Sequence, residues 1–290
     1  MDAGRGTMLR AALGVIPRRR PSTLPALTLD QSGVAVDRDH LAAYDRVCGF
    51  RLSDRLPPTY PHVLAFPLAM HLLTAPDFPF PAVGLVHIAN RITVHRPLTA
   101  AMSLDLTVHA TDLRPHERGR QVDVVASAAV DGDTVWTSVS TYLSRSPAAA
   151  PRSTATTAPS LTDAATAHSP DTVAPPSSTG AAITTEPSAV WRVPARVGSD
   201  YAAVSGDRNP IHTSRIGARL FGFPKPIAHG MWSLARCLAA LEGRLPDSGT
   251  VDVRFQRPIL LPARVQFAYA DGRFALTGKK PHLAGQVTPA

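Results

Sequence analysis

Three residues close together in the chain carry the side chains that acid–base chemistry needs: Asp207, Asn209 and His212. Asn209 followed by Pro210 reads as a helix N-cap with proline at the first helical position, which puts His212 at the third. Asp207 sits in a Gly-Asp turn just ahead of that cap. A carboxylate and an imidazole therefore converge on one helix N-terminus, where the backbone dipole favours the ionised carboxylate. A neutral imidazole beside it is a base near neutral pH. The same residues also make a good turn and cap with no chemistry, and spacing alone leaves both readings open. Ser205 lacks the Gly-x-Ser-x-Gly setting of a nucleophilic serine. His212 and His229 are a conceivable metal pair, but no His-x-x-x-His spacing and no acidic third ligand accompanies them, so no metal is expected. His229-Gly230 opens an apolar helical run. The unpaired N–H groups of its first turn suit a carbonyl oxygen or oxyanion at Gly230; alternatively, Gly230 only lets the helix pass close to a neighbour.

These groups need elements to hold them. Met231, Leu234, Ala235, Leu238 and Leu241 fall at helical spacing and Gly243 is a natural stop, which predicts a buried helix over 229–242. Strands are predicted at 251–256, 264–269 and 273–277, with Asp271-Gly272 as a hairpin turn. In the first half, 39–47 reads as a short helix and 66–73 as part of a buried one. Strands are predicted at 84–94, 103–111, 121–130 and 134–142, with Asp131-Gly132 as a turn. Each half is then a central helix followed by consecutive strands, an α+β fold with an antiparallel sheet against a long helix.

The two halves echo each other. Ile92-Thr93-Val94-His95-Arg96-Pro97 and Val253-Arg254-Phe255-Gln256-Arg257-Pro258 are alternating strands running into an Arg-Pro step. Upstream, Tyr60-Pro61-His62 and Ile227-Ala228-His229 each precede an apolar helix. The shared order points to duplication. Between the halves lies 146–188, where 34 of 43 residues are Ala, Thr, Ser or Pro and none is aromatic. Such a segment cannot bury enough apolar area to offset chain entropy, so it is expected to be a disordered linker. The expected organisation is a flexible leader over 1–24, a first unit over 25–145, the linker, and a second unit over 189–290.

Composition narrows the classes. The 290 residues carry 30 Lys+Arg against 22 Asp+Glu, a net charge of +8, which allows anionic partners without choosing one. No RNA or DNA motif and no aromatic platform supports nucleic-acid binding. No apolar run is long enough for a membrane span. The Arg18-Arg19-Arg20 cluster follows the short apolar stretch near the N-terminus, the reverse of an export signal, and two cysteines form no framework. A cytoplasmic protein is expected.

Tyr201-x-x-Val204-Ser205-Gly206-Asp207-x-Asn209-Pro210-Ile211-His212, with Phe221-Gly222-Phe223-Pro224-x-Pro226-Ile227-Ala228-His229-Gly230-Met231, resembles the signature of the MaoC-like, R-specific enoyl-thioester hydratases. Tyr44-x-x-Val47-Cys48-Gly49-Phe50 and Pro57-Pro58-Thr59-Tyr60-Pro61-His62 resemble the degenerate half of the double-hotdog members. The resemblance implies a double hotdog, each half a long helix wrapped by an antiparallel sheet. It implies reversible hydration of 2-enoyl thioesters of coenzyme A or acyl carrier protein, with no cofactor. Asp207 and His212 would be the catalytic pair, Asn209 its orienting residue, and the Gly230 N–H the donor to the thioester carbonyl. Tyr201, Ser205, His229 and Met231 would lie on the substrate side. The first half offers Asp54 but no matching histidine, so it would accommodate the acyl tail rather than react, with Leu64, Ala65, Leu68 and Ala69 read mainly as core. A hotdog thioesterase and a silent acyl-binding subunit are the alternatives. A double hotdog carries its two-fold pair internally and is expected as a monomer or homodimer.

Overall fold

The computed structural model describes residues 20–145 and 186–290. The expected leader and linker lie largely outside the described residues. The first half contains β1 (Thr28–Ala35), α1 (Arg38–Cys48), α2 (Tyr60–Leu73), β2 (Leu85–Val94), β3 (Ser103–His116), β4 (Gly119–Val130) and β5 (Asp133–Arg145). The second contains β6 (Ala189–Val193), α3 (Val197–Ser205), α4 (Pro210–Thr213), α5 (Arg215–Leu220), α6 (Gly230–Ala240), β7 (Gly249–Phe255), β8 (Ala263–Ala270), β9 (Arg273–Thr277) and β10 (Pro281–Pro289).

The ten strands of the described residues form one antiparallel sheet in the order β1-β3-β4-β5-β2-β7-β10-β9-β8-β6. Read inward from each free edge, the halves run β1-β3-β4-β5-β2 and β6-β8-β9-β10-β7. The two orders are the same pattern, so the duplication expected from short sequence echoes is repeated in topology. The seam is β2 against β7, with Ile92 opposite Val251 and Thr93 opposite Thr250. Arg91 clamps Asp252 across it through Nε–Oδ1 at 2.7 Å and a second nitrogen to Oδ2 at 3.0 Å. That paired, planar contact is the strong form of an arginine–carboxylate bond.

Local sequence explains the elements. Asp37 caps α1 by accepting from the N–H groups of Asp39 and His40, and Gly49 ends it in the left-handed region at φ 85°. Gly206 ends α3 the same way at φ 77°. Asp131-Gly132 and Asp271-Gly272 have positive φ at both positions, the geometry that twisted two-residue hairpins require. Helices α2 and α6 supply the apolar layer over the sheet, with Tyr60, Leu72, Leu234, Ala235 and Leu238 buried. The equivalent tyrosines Tyr44 and Tyr201 meet between the halves at 6.2 Å, as expected near an internal two-fold.

Several expectations need correction. A strand precedes the helices in each half and takes the outer edge, so the halves are not a helix followed only by strands. Strands β1, β6 and β10 are additions. Strand β3 continues to His116 and β5 to Arg145, while α6 stops at Ala240. Ala65 and Ala69 are buried core, and Leu64 and Leu68 pack on it. Asp54 is exposed and paired with Arg38. Phe50 stands where the second half has Asp207. Among the described residues no helix is long and apolar enough to cross a membrane.

Candidate active site

The site is assembled where α3 ends and α4 begins. Asn209 caps α4 through its side chain, which accepts from the Ile211 N–H at 3.3 Å, and Pro210 takes the first position. This delivers His212 to the third position, as the cap predicts. Asp207 Oδ1 accepts from the Asn209 N–H at 3.1 Å, and the Ser205 hydroxyl accepts from the Asp207 N–H at 3.2 Å. Asn209 therefore orients the carboxylate through its backbone, while its side chain holds the helix start.

The fold then brings His229 onto the pair. The rings of His212 and His229 stack at 3.6 Å, and His229 Nε2 lies 3.7 Å from Asp207 Oδ2. Tyr201, fully buried, packs on His229 at 4.9 Å from behind. Met231 is core. His229 ends as the N-cap of α6, so Gly230 opens that helix. The first N–H groups of a helix have no intrahelical acceptor, and the Gly230 N–H is one of them. The ring of Phe255 lies 3.2 Å from where a Gly230 Cβ would stand, so the position is sterically closed on that side. Below the pair, a Cβ on Gly198 would fall 2.0 Å from the His212 carbonyl oxygen, so α3 can approach His212 this closely only through a glycine.

Hydrogen bonds fix the tautomers. His212 Nδ1 meets the Ile227 carbonyl at 2.8 Å, and a carbonyl only accepts, so Nδ1 carries the proton and Nε2 keeps its lone pair. His229 Nε2 donates to the Asp207 carbonyl at 3.0 Å, which leaves Nδ1 buried without a partner. Burial lowers the pKa of His212, and burial together with His212 lowers His229 to about 3. Burial pushes Asp207 up, but His229, His212 and the Asn209 N–H outweigh it and hold the carboxyl below its ordinary value. At neutral pH the cluster is one carboxylate beside two neutral imidazoles.

Asp207, His212 and His229 each offer a ligand atom, all within 4.8 Å of one another. The acidic third ligand missing from sequence spacing is thus supplied by the fold. The rings are face-stacked, however, so their in-plane lone pairs run side by side rather than converging. His229 Nε2 is also engaged by a carbonyl. The set suits a bound water better than a cation.

The first half contributes walls that its sequence did not announce. Phe66 of α2 lies 3.6 Å from where a Gly206 Cβ would stand. His87, Tyr142 and Phe255 form one row across β2, β5 and β7, with ring centroids 4.7 and 5.0 Å apart. His62 stacks on His87 at 6.3 Å. The negative Asp207 is felt at His62, His87 and Tyr142, so the row borders the same interior. His87 faces inward because of a bulge at Ile88. Its partner Tyr142 shares a sheet face with Ser140, the partner of Asn90, although His87 and Asn90 are three residues apart.

Residues 178–282 match the MaoC like domain family. The chain is 39% identical over 297 aligned positions to the 3-hydroxyacyl-thioester dehydratase X of Mycobacterium tuberculosis, covering 98% of each sequence. The chain belongs to the MaoC-like family. The crystal structure of the M. tuberculosis dehydratase superposes with a TM-score of 0.73 at 36% identity, over 91% of this chain and all of that one. A second M. tuberculosis structure, described as a double hotdog, matches with a TM-score of 0.53 at 13% identity, over 94% of this chain and 98% of that one. The α+β double hotdog expected from the MaoC-like motifs is therefore the fold of this family member.

Proposed function

We propose that the chain is a hydro-lyase that adds water reversibly to trans-2-enoyl thioesters, giving R-3-hydroxyacyl thioesters of coenzyme A or acyl carrier protein. The observation that carries this reading is the unprotonated Nε2 of His212 beside the ionised Asp207. Two acceptors at one point hold a water between them.

The thioester carbonyl accepts from the Gly230 N–H, at a helix start whose dipole favours negative charge. His212 Nε2 takes a proton from the water as the water oxygen bonds to C3. The C2–C3 π electrons move onto the carbonyl oxygen, where Gly230 holds the enolate. The proton passes to Asp207 and then to C2, the carbonyl re-forms, and the pair returns to its starting charge. The net change is H and OH across one double bond, so no electron acceptor or cofactor enters. Asp207 and His212 share one proton through the cycle. Asn209 and Ser205 hold Asp207, while His229 and Tyr201 back the pair. Met231, next to Gly230 in the chain, is buried in the core.

The substrate offers one face to the pair, and the resemblance of the motifs supports an R product. The first half acts as the wall for the acyl tail. The boundaries we propose for the two units are 25–145 and 189–290. The internal two-fold serves as the usual hotdog pair, so the working form is a monomer or homodimer. Two buried free thiols, Cys48 and Cys237, suit the reducing cytoplasm.

The test follows loss of the enoyl-thioester absorbance, with chiral analysis of the product. Wild type is expected to give one enantiomer, R. No turnover, or hydrolysis to free thiol instead of hydration, overturns the reading and favours a thioesterase.

A further inference from the structure

Helix α5 is amphipathic the wrong way round. Its buried residues are the smallest available, Gly217 and Ala218, and its outward residues include Ile216 and Leu220, 74% and 79% exposed. It cannot roll to hide them. A Cβ at Gly217 would fall 2.5 Å from the Pro210 side chain, so the helix is seated on α4 through bare backbone. The Ser214 hydroxyl accepts from the Gly217 N–H, and the Phe223 N–H donates to the Ala218 carbonyl, which locks both ends. Phe221 and Leu260 extend the exposed apolar surface. Leu260 pairs with Ile227, whose carbonyl holds His212. Single exposed apolar side chains are ordinary, but three on one turn-and-helix segment, with Leu260 paired to the strand-like Ile227 that follows it, mark a contact surface beside the Asp207–His212 pair.

The charged residues along this segment have one sign. Arg208, Arg215, Arg219 and Lys225 are all exposed, and none of them forms an ion pair among the described residues. No Asp or Glu occurs between Asp207 and Glu242. The nearest chemistry is only four residues from Ile216, at His212.

We infer that this ridge docks an acidic protein carrier, which presents its thioester-linked acyl group to the Asp207–His212 site. This rests on the hydratase reading and names the form in which the substrate arrives. Phosphates of a small carrier would need only the cations; the apolar residues between them fit the amphipathic face of a folded, acidic partner. A second copy of this chain would set the same arginines against each other. A bilayer surface would need a longer insertion element than six residues.

The test uses the full chain and a bacterial acyl carrier protein bearing a crotonyl-phosphopantetheine group, with crotonyl-CoA as the comparison. Binding is read by titration calorimetry and turnover by absorbance. The variants are Ile216→Ser with Leu220→Ser, and Arg215→Glu with Arg219→Glu. For carrier-bound substrate each pair is expected to weaken binding and raise KM about tenfold, with kcat unchanged. The wild-type KM should also rise steeply with salt, since exposed charges are screened over about 10 Å. The kcat/KM for crotonyl-CoA should stay within about twofold of wild type, because the four substituted side chains are exposed and none is a hydrogen-bond partner of Asp207 or His212. Equal losses on both substrates, or no loss on either, overturn the docking surface. So does binding to phosphatidylglycerol vesicles that the variants abolish while carrier binding is retained. Failure of the hydratase reading looks different: no turnover of either substrate, with calorimetry still reporting whether the carrier binds through the ridge.

Discussion

Acid should loosen this protein through histidines that the fold keeps neutral. Burial lowers His62 to about 4, and His87 and His229 to about 3. An unfolded histidine titrates near 6.5. Below that value the unfolded chain binds protons that the folded chain refuses, so stability falls as pH drops from about 6.5 toward 4. Between about pH 7.5 and 5.5 each of the three costs about 1.3 kcal/mol, or about 4 kcal/mol together. One group works in the opposite direction. Asp45 is buried with Oδ1 unpartnered, and burial and Glu242 raise it to about 7. The folded chain takes up that proton first, which returns about 2 kcal/mol over the same interval. These four groups give a loss of about 2 kcal/mol for wild type and about 4 kcal/mol for Asp45→Asn, and His212 and His282, also lowered by burial, add to it in the same direction. Urea unfolding at both pH values, followed by fluorescence of Trp136, Trp191 and Trp232, measures it. Stability of Asp45→Asn that is flat or rises on acidification would refute the assignment of neutral buried imidazoles.

The remaining predictions concern the site. Asp207→Asn and His212→Gln should each lower kcat by at least about a hundredfold while unfolding at wild-type urea concentrations, as expected when one partner of an acid–base pair is removed. Gly198→Ala should cost about 1–3 kcal/mol of stability and also lower kcat, because the new Cβ pushes on the His212 carbonyl. Its backbone is helical, so an effect on kcat reports crowding rather than loss of glycine's freedom. Exhaustive dialysis against a chelator should leave turnover unchanged; loss restored by a divalent cation would turn Asp207, His212 and His229 into a metal site.

The candidate site was more legible than the sheet. An Asn-Pro cap fixes geometry within four residues, so the position of His212 followed from local chemistry. Asp-Gly turns and the apolar spacing of α6 are local signals of the same kind. The strands that escaped notice lack such signals. Strand β10 carries prolines at both ends and Gly285 inside, where a Cβ would stand 2.3 Å from the Phe274 ring and 2.6 Å from the Asp252 carbonyl. The glycine makes room for its neighbours and removes the alternation that reveals a strand. Strand β1 is an exposed edge with no buried face to imprint a period. His87 was invisible because one bulge reverses its direction, which no period-two reading registers. His229, which backs the proposed pair, meets His212 only through tertiary stacking.

The most direct test of the Asp207–His212 pair as the source of both ends of one water is hydration of crotonyl thioester in deuterium oxide. The C2 and C3 configurations of the product are then read by NMR. The account predicts deuterium at C2 on the same face as the C3 hydroxyl, with R configuration at C3. Deuterium on the opposite face, or a mixture at either carbon, would contradict it.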